Sequence, residues 1–254
     1  MYKFSLRKSI PVLLLLLVIS SRDSYAQTCG FGCFGLGGFY VGFGVQKYEA
    51  PGLNDYVKKY NREHSSTITK KMDEFGQATG FRLGANLFRT KYRRFMFSAK
   101  GYYQFLKEEK SSDEIVDNKE LKNTYSLNFN YWGVGVDIGY SIFSFVDWKI
   151  VDAALTFHSA ELNIQKTPAG LEPDIQMSGE KTVLGYSLGS GFVIRLVGDY
   201  VSIEATASYS KFSIESVKGD NNTGIVGNET GDSKFIDDGG LGAAVQLNIG
   251  IPLY

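Results

Sequence analysis

The clearest pattern in the sequence is a strict alternation of side-chain types near its end. From Leu241 to Leu253 the odd positions are all apolar, whereas the even positions up to Gly250 are Gly, Ala, Gln or Asn. A period of two places one kind of side chain on each face of a β-strand. A strand of this kind needs partners on both edges when its surroundings are apolar, because unpaired backbone groups are costly there.

Seven earlier segments carry the same alternation, so the sequence predicts eight strands. We expect their apolar side chains to face outward and their small and polar side chains to face inward, with the last strand pairing to the seventh and, by closure, to the first. In the fourth strand the apolar parity changes between Tyr131 and Trp132, which predicts a β-bulge there. The predicted strands are 39–47, 75–87, 95–105, 125–140, 151–158, 184–195, 201–210 and 241–253.

Connections between the predicted strands alternate between long and short. This alternation is typical of transmembrane barrels, which have long extracellular loops and short periplasmic turns. The sequence therefore predicts an all-β fold, an eight-stranded antiparallel up-and-down transmembrane β-barrel with four long extracellular loops. A short amphipathic helix is possible at 54–64 in the first loop. The long connections are 49–74, 107–122, 166–180 and 218–238, and the short ones are 89–94, 144–147 and 197–199.

The first 26 residues have the three parts of a secretory signal peptide. A basic start precedes an apolar run at 10–19, and small residues lead to a cleavage site after Ala26. The apolar run is too short to span a membrane. We expect 1–26 to be a cleaved signal, 27–38 an N-terminal periplasmic segment and 39–254 the barrel.

Composition agrees with a barrel and argues against one class of partner. The chain has 16 Tyr, 18 Phe and 29 Gly but only 5 Pro, which suits strands with large outward and small inward residues. Basic and acidic residues are balanced at 27 each. Loss of the signal peptide leaves the rest mildly acidic, so we expect no nucleic-acid partner.

Two cysteines follow the predicted cleavage site. In an exported chain Cys29 and Cys33 either close a small disulfide, whose short loop gives little entropic gain, or remain free thiols. Lipid modification of Cys29 is disfavoured, because Ala26-Gln27-Thr28 is not the box of aliphatic and small residues that lipoprotein signals carry.

Six charged residues fall on the predicted inward faces, three of each sign. The interior of an eight-stranded barrel is barely wide enough for its own side chains, and unpaired buried charge is costly. We therefore expect an interior charge network that plugs the barrel, with a polar route for a small solute as the alternative. The six residues are Arg82, Lys100, Asp137, Asp152, Arg195 and Glu204.

Nothing in the sequence indicates catalysis, a cofactor or a metal site. His158 and Ser159 are adjacent, so they point to opposite faces of a strand and cannot form a base and nucleophile pair. We expect His158 to pair with Asp152 or Glu204 inside the barrel. The last long loop is acidic, but its residues 220–224 lack the spacing of a calcium loop, so we expect a solvated loop.

The signal, eight alternating segments, unequal loops and aromatic last residue Tyr254 together resemble one family. This is the group of small eight-stranded outer-membrane β-barrel proteins that includes the OmpA transmembrane domain, OmpX and OmpW, and the resemblance covers the whole mature chain. It implies an integral protein of the cell outer membrane in contact with lipid and lipopolysaccharide. It also implies periplasmic chaperones and a barrel-insertion machinery as partners, with Tyr254 as the C-terminal insertion signal.

Three functions are compatible with these expectations. The first is a structural or surface-interaction role, with extracellular ligands at the loops and an interior plugged by side chains. The second, suggested by the resemblance to OmpW, is a passive channel for small or apolar solutes. The third is a soluble exported ligand-binding barrel, which is disfavoured because its outer face would then carry the Gly, Ser and mixed charges that suit a narrow interior.

Overall fold

The computed structural model describes residues 37–167, 175–179, 181–198, 200–219, 225–226 and 233–250. The predicted signal peptide, Cys29, Cys33 and Tyr254 lie outside the described residues. The one described helix is too short and polar to span a membrane. The elements are β1 (Gly38–Lys47), α1 (Pro51–Glu63), β2 (Ile68–Lys70), β3 (Gln77–Tyr92), β4 (Phe95–Gln104), β5 (Lys107–Val116), β6 (Lys119–Phe143), β7 (Val146–Thr167), β8 (Ile175–Gly179), β9 (Val183–Val197), β10 (Val201–Lys211), β11 (Val217–Gly219), β12 (Ile225–Val226) and β13 (Leu241–Ile249).

Eight of these strands close into a ring. The order is β1, β3, β4, β6, β7, β9, β10 and β13, and every neighbouring pair is antiparallel. The ring closes where β13 pairs with β1, with Phe39 opposite Ile249. The eight strands follow one another around the ring in the same order as along the chain. The fold is therefore an eight-stranded up-and-down barrel. The predicted fold class and the predicted partners of the last strand are confirmed.

The two ends of the barrel differ. One, the turn end, carries short connections: Arg93 and Arg94 join β3 to β4, Ser144 and Phe145 join β6 to β7, and 198–200 join β9 to β10. Arg93 adopts a left-handed backbone conformation with φ of 55°. The opposite end, the loop end, carries the four long connections, so the predicted alternation is confirmed. The predicted helix is also present, although it begins at Pro51 rather than at residue 54.

The second long connection is largely a hairpin, not the loop predicted at 107–122. β5 pairs with β6 from Lys107 opposite Asn128 to Val116 opposite Lys119. Asp117 and Asn118 turn the chain with φ of 51° and 58°, the positive values that a tight hairpin turn requires. The prediction was wrong because β5 has polar residues on both faces, so no apolar parity marks it. Short strands also occupy parts of the third and fourth predicted loops, namely β8, β11 and β12.

The predicted bulge at Tyr131 and Trp132 is absent. Both residues pair in unbroken register with Gln104 and Tyr103 of β4, and the register between β6 and β7 shifts only nearer the turn end, around Gly139. Odd positions of β6 face inward on both sides of this point. The apolar parity changes because the surroundings change: towards the turn end the apolar side chains of β6 face outward, and towards the loop end they face inward.

β6 and β7 are much longer than a membrane crossing requires. They have 25 and 22 residues, whereas about 9 to 11 residues of a tilted strand cross a bilayer. At about 3.3 Å per residue, β6 has a contour length of roughly 80 Å. The walls of the ring therefore continue well past one membrane thickness at the loop end.

A hydrophobic core fills the barrel at the loop end. α1 lies against it through Leu53 and Val57, which are 0% and 1% exposed. β-bridges between Glu49 and Asp238 and between residues 214 and 236 tie the connections together over it. The described core includes Tyr48, Leu53, Val57, Met72, Phe75, Leu106, Tyr125, Leu127, Phe129, Leu162, Ile164, Met177, Phe212, Ile214, Val217, Phe235 and Ile236. We call this set and α1 the cap.

Candidate functional site

Two lysines and three carboxylates form one ion cluster inside the ring. Lys149 Nζ lies 2.6 Å from Glu204 Oε1, and it also lies 2.9 Å from Asp152 Oδ2. A third carboxylate, Asp137, has its Oδ2 atom 3.1 Å from the same amine. Lys100 Nζ lies 2.6 Å from Asp152 and 2.9 Å from Asp137. All five side chains are buried. Because β4, β6, β7 and β10 each supply a member, the cluster cross-links the barrel through its interior.

A bulge in β7 brings Lys149 into the cluster. The register of β7 against β9 shifts between Lys149 and Asp152, so both residues face inward although they are three positions apart. Sequence reasoning missed Lys149 because it began this strand at Val151. No clear sequence signal marks the bulge that turns Lys149 inward, because a bulge reverses the alternation without requiring a particular residue.

Arg82 lies apart from the cluster, on its loop-end side. Its Nε atom donates to Gln104 Oε1 at 2.7 Å, and its guanidinium carbon lies 4.5 Å from the centre of the Tyr102 ring. A cavity of about 10 Å³ lies beside it, lined in part by Gln46 and Tyr131. That is room for roughly one water molecule beside Arg82.

Arg195 also lies apart from the cluster, near the turn end. It forms an ion pair with Asp147, which is 0% exposed, and Arg89 Nη2 lies 3.9 Å from the same carboxylate. Ser141 Oγ donates to Asp147 at 2.5 Å. The six residues predicted from the sequence therefore lie at three levels: Lys100, Asp137, Asp152 and Glu204 together, Arg82 on one side and Arg195 on the other. Asp147 was missed because the sequence placed it in a turn.

His158 does not pair with a carboxylate, so the prediction that it contacts Asp152 or Glu204 is wrong. Its Nε2 atom is 2.8 Å from Thr156 Oγ1, and its ring stacks on Phe212 with 3.9 Å between centres and 10° between planes. Six strand positions, about 20 Å, separate it from Asp152. His158 thus belongs to the junction between the ion cluster and the cap.

Two buried glutamates fasten the cap. Glu108 Oε2 accepts hydrogen bonds from the Tyr48 hydroxyl at 2.5 Å and from the backbone N–H groups of Gly76 and Gln77 at 3.0 and 2.8 Å. Burial, and then the neighbouring Glu108 carboxylate, raise the pKa of Tyr48 well above its usual range, so the hydroxyl remains a donor. These bonds hold the chain that returns from α1 to β3 against β5.

Glu114 attaches the C-terminal end of α1 to the strands below it. Its carboxylate accepts from Asn123 Nδ2 at 2.7 Å and from the Tyr60 hydroxyl, and His64 Nδ1 lies 3.1 Å from Oε2. Glu114 and Asn123 are 3% and 1% exposed. The last turn of α1 is thereby attached to β5 and β6, on top of the hydrophobic core.

Around the ring, a continuous belt of apolar side chains is exposed. A surface of this size would be a strong aggregation hazard in water and is the surface that barrels present to lipid. Aromatic residues border it at both ends, as in the girdles of membrane barrels: Tyr103 and Trp132, with ring centres 4.6 Å apart, at the loop end, and Tyr92 and Phe143 at the turn end. The chain is a small transmembrane β-barrel. Exposed belt residues include Val41, Phe43, Phe81, Leu83, Val134, Val136, Leu155, Leu188, Phe192, Val245 and Leu247.

No protein-family model matches the sequence of this barrel, and a comparison with curated proteins finds no match. Similar solved structures include Ail, the attachment invasion locus protein of Yersinia pestis in complex with the heparin analogue sucrose octasulfate. The TM-score is 0.40 at 12% identity, over 85% of this chain and 97% of Ail. Another is the outer membrane protease OmpT from Escherichia coli, with a TM-score of 0.37 at 8% identity, over 86% of this chain and 94% of OmpT.

Proposed function

We propose that the protein is a closed outer-membrane barrel that conducts no solute and displays a folded cap at the cell surface. The observation that carries this proposal is the succession of two filled layers along the axis. The first is the ion cluster of Lys100, Lys149, Asp137, Asp152 and Glu204, and the second is the hydrophobic core under α1.

A solute crossing the barrel would have to disrupt both layers. In the first it would separate charges that lie 2.6 to 3.1 Å apart in a buried setting, where an unpaired charge costs several kcal/mol. In the second it would displace packed side chains such as Leu127 and Phe129, which are 0% exposed. These layers argue against the channel, the alternative that the sequence left open.

The orientation follows from the unequal connections. Membrane barrels place short turns in the periplasm and long connections outside, so the cap is assigned to the cell surface. Its outer side offers α1, whose Asp55, Lys59 and Arg62 are exposed above the buried Leu53 and Val57. A rigid surface of this kind suits a structural or surface-interaction role, with extracellular ligands binding to the cap rather than passing through it.

Conductance of the purified full-length protein in planar bilayers tests closure. We expect no current steps above background for the wild type. The control substitution Val136→Ala, on the lipid-facing belt, should behave in the same way. Folding is checked independently by the shift in gel migration on heating. Discrete, reproducible steps from the folded wild type would overturn the proposal in favour of a channel.

Display of the cap is tested by epitope insertion. A tag inserted between Asp117 and Asn118, in the tight turn of the β5–β6 hairpin, should bind antibody on intact cells. The same tag between Arg93 and Arg94, at the opposite end, should bind antibody only after the outer membrane is permeabilised. The reverse result would refute the assigned orientation.

A further inference from the structure

Two arginines of one short turn are held against the lipid-facing aromatic girdle at the turn end. The guanidinium carbon of Arg93 lies 5.5 Å from the centre of the Tyr92 ring. Arg94 Nη1 lies 3.3 Å from the Tyr140 hydroxyl, and the Arg94 carbonyl accepts from Ser141 N at 2.7 Å. Both guanidinium groups are therefore placed beside the belt rather than inside the ring.

We propose that Arg93 and Arg94 form a binding site for the headgroup of an anionic phospholipid in the periplasmic leaflet. This inference rests on the proposed membrane location. Guanidinium groups present planar forks of N–H donors that match phosphate oxygens, and a lipid with net negative charge gains further from two adjacent cations.

The surrounding surface supports a lipid as the occupant. Neither Arg93 nor Arg94 forms an ion pair with any carboxylate of the described residues, although both are exposed. Asp147, the buried acid near this end, is occupied by Arg195 and Arg89. The phosphate-facing positions are thus cationic and unneutralised within the part of the chain that the structure describes.

Aromatic side chains form the membrane-facing wall of the same site. Phe95 and Tyr140 contact edge to face with ring centres 5.4 Å apart, and Tyr92 lies opposite Phe95 in the ladder. Aromatic rings of this kind sit at the level of lipid headgroups. An acyl chain therefore has an apolar wall to lie against while its phosphate meets the two arginines.

The neighbouring Lys91 provides a matched control for charge. It lies opposite the inward-facing Met96, so its side chain is on the lumen side of the ring wall, whereas Tyr92 and Phe95 are on the lipid side. Removal of this charge changes the net charge of the turn without changing the lipid-facing pair.

The two tryptophans supply a built-in readout. Trp148 lies opposite Tyr140 at the turn end, and Trp132 lies at the other girdle. Trp132→Phe leaves Trp148 as the only tryptophan, and Trp148→Phe leaves Trp132, so emission can be excited selectively from one indole in each variant. Each variant is folded into phosphatidylcholine vesicles containing a minor fraction of either brominated phosphatidylglycerol or brominated phosphatidylcholine, with bromine near the ester end of one acyl chain.

We expect brominated phosphatidylglycerol to quench Trp148 more strongly than brominated phosphatidylcholine does. The double substitution Arg93→Gln and Arg94→Gln should remove this excess, because each cation near a membrane surface raises anionic-lipid affinity about fivefold. Lys91→Gln should leave the excess in place, and the double substitution should not alter quenching of Trp132.

Two results would overturn the site. One is an excess that survives the double substitution, and the other is an equal loss on Lys91→Gln, which would indicate diffuse charge attraction. A protein that does not lie in the bilayer would give a different result, because neither of its tryptophans would be quenched by either lipid.

Discussion

Lys149→Met should be the most damaging single substitution in the ion cluster. It keeps the unbranched shape and most of the length of the side chain but removes the amine that lies within 3.1 Å of three carboxylates. Among the described residues, Lys100 pairs with Asp137 and Asp152 but not with Glu204, so Glu204 loses the ion pair that the structure describes for it. The variant therefore buries three acidic groups around one lysine.

The size of the effect follows from these contacts. At an effective dielectric constant of about 20, each pair about 3 Å apart contributes roughly 5 kcal/mol of gross attraction, most of which is offset by desolvation. Breaking a buried pair by removing one partner typically costs about 3–5 kcal/mol. Because Lys149 serves three partners, we expect a loss near the upper end, about 4–5 kcal/mol.

Glu204→Gln is the informative comparison. It brings the cluster from three acids and two lysines to two of each, and Lys149 keeps Asp137 and Asp152 as partners. We therefore expect a much smaller loss, about 1 kcal/mol, of the size of an ordinary buried hydrogen bond.

The assay is urea unfolding of vesicle-reconstituted protein, followed by tryptophan emission and by the gel shift on heating. The free energy of unfolding is extrapolated linearly to zero urea. Val136→Ala, on the lipid-facing belt, serves as the reference. A loss below about 1 kcal/mol for Lys149→Met, or equal losses for it and Glu204→Gln, would refute the reasoning from shared partners.

Three further outcomes follow from the cap and the ring. Leu53→Ala should destabilise the cap by about 3 kcal/mol and expose it to protease from outside, while the heat-dependent gel shift of the barrel persists. Gly133→Ala should lower the free energy of unfolding in urea by about 1–3 kcal/mol, because its new methyl group would lie 2.2 Å from Tyr102 Cζ. Gly101→Ala is the control and should be nearly neutral, because its methyl group would lie 3.8 Å from the nearest neighbouring atom. Tyr48 has a raised pKa in the folded state, so its contribution to stability is complete below about pH 10 and is lost as pH rises further. Tyr48→Phe should therefore flatten the decline of stability above pH 10, and an unchanged slope would contradict this.

Period-two alternation predicts the ring well because lipid imposes one requirement on every strand. Wherever the outside is a bilayer, outward residues are apolar, as Val134, Val136 and Ile138 show in β6. The rule fails at the loop end, where the outside is water and the inside is an apolar core. A change of apolar parity between Tyr131 and Trp132 then marks the edge of the belt and not a bulge.

The ion cluster was only partly predictable for a different reason. Arg82, Lys100 and Asp137 lie in regular strand, so their inward direction follows from counting by twos. Lys149 lies beyond the bulge that precedes Asp152, and a bulge reverses parity without leaving a clear mark in the residues themselves. Which inward charges lie at the same height along the barrel axis also depends on the stagger between strands. The alternation of apolar and polar residues carries no information about that stagger.

The continuity of β6 through belt and cap has a consequence for biogenesis. Tyr125, Leu127 and Phe129 belong to the same strand as the lipid-facing Trp132 and Val134. With the cap at the cell surface, as proposed, they reach their final place under α1 only after that strand has crossed the bilayer. The apolar side chains of the cap must therefore be translocated before they pack. On the proposed orientation we therefore expect the cap to be the last part of the molecule to become native.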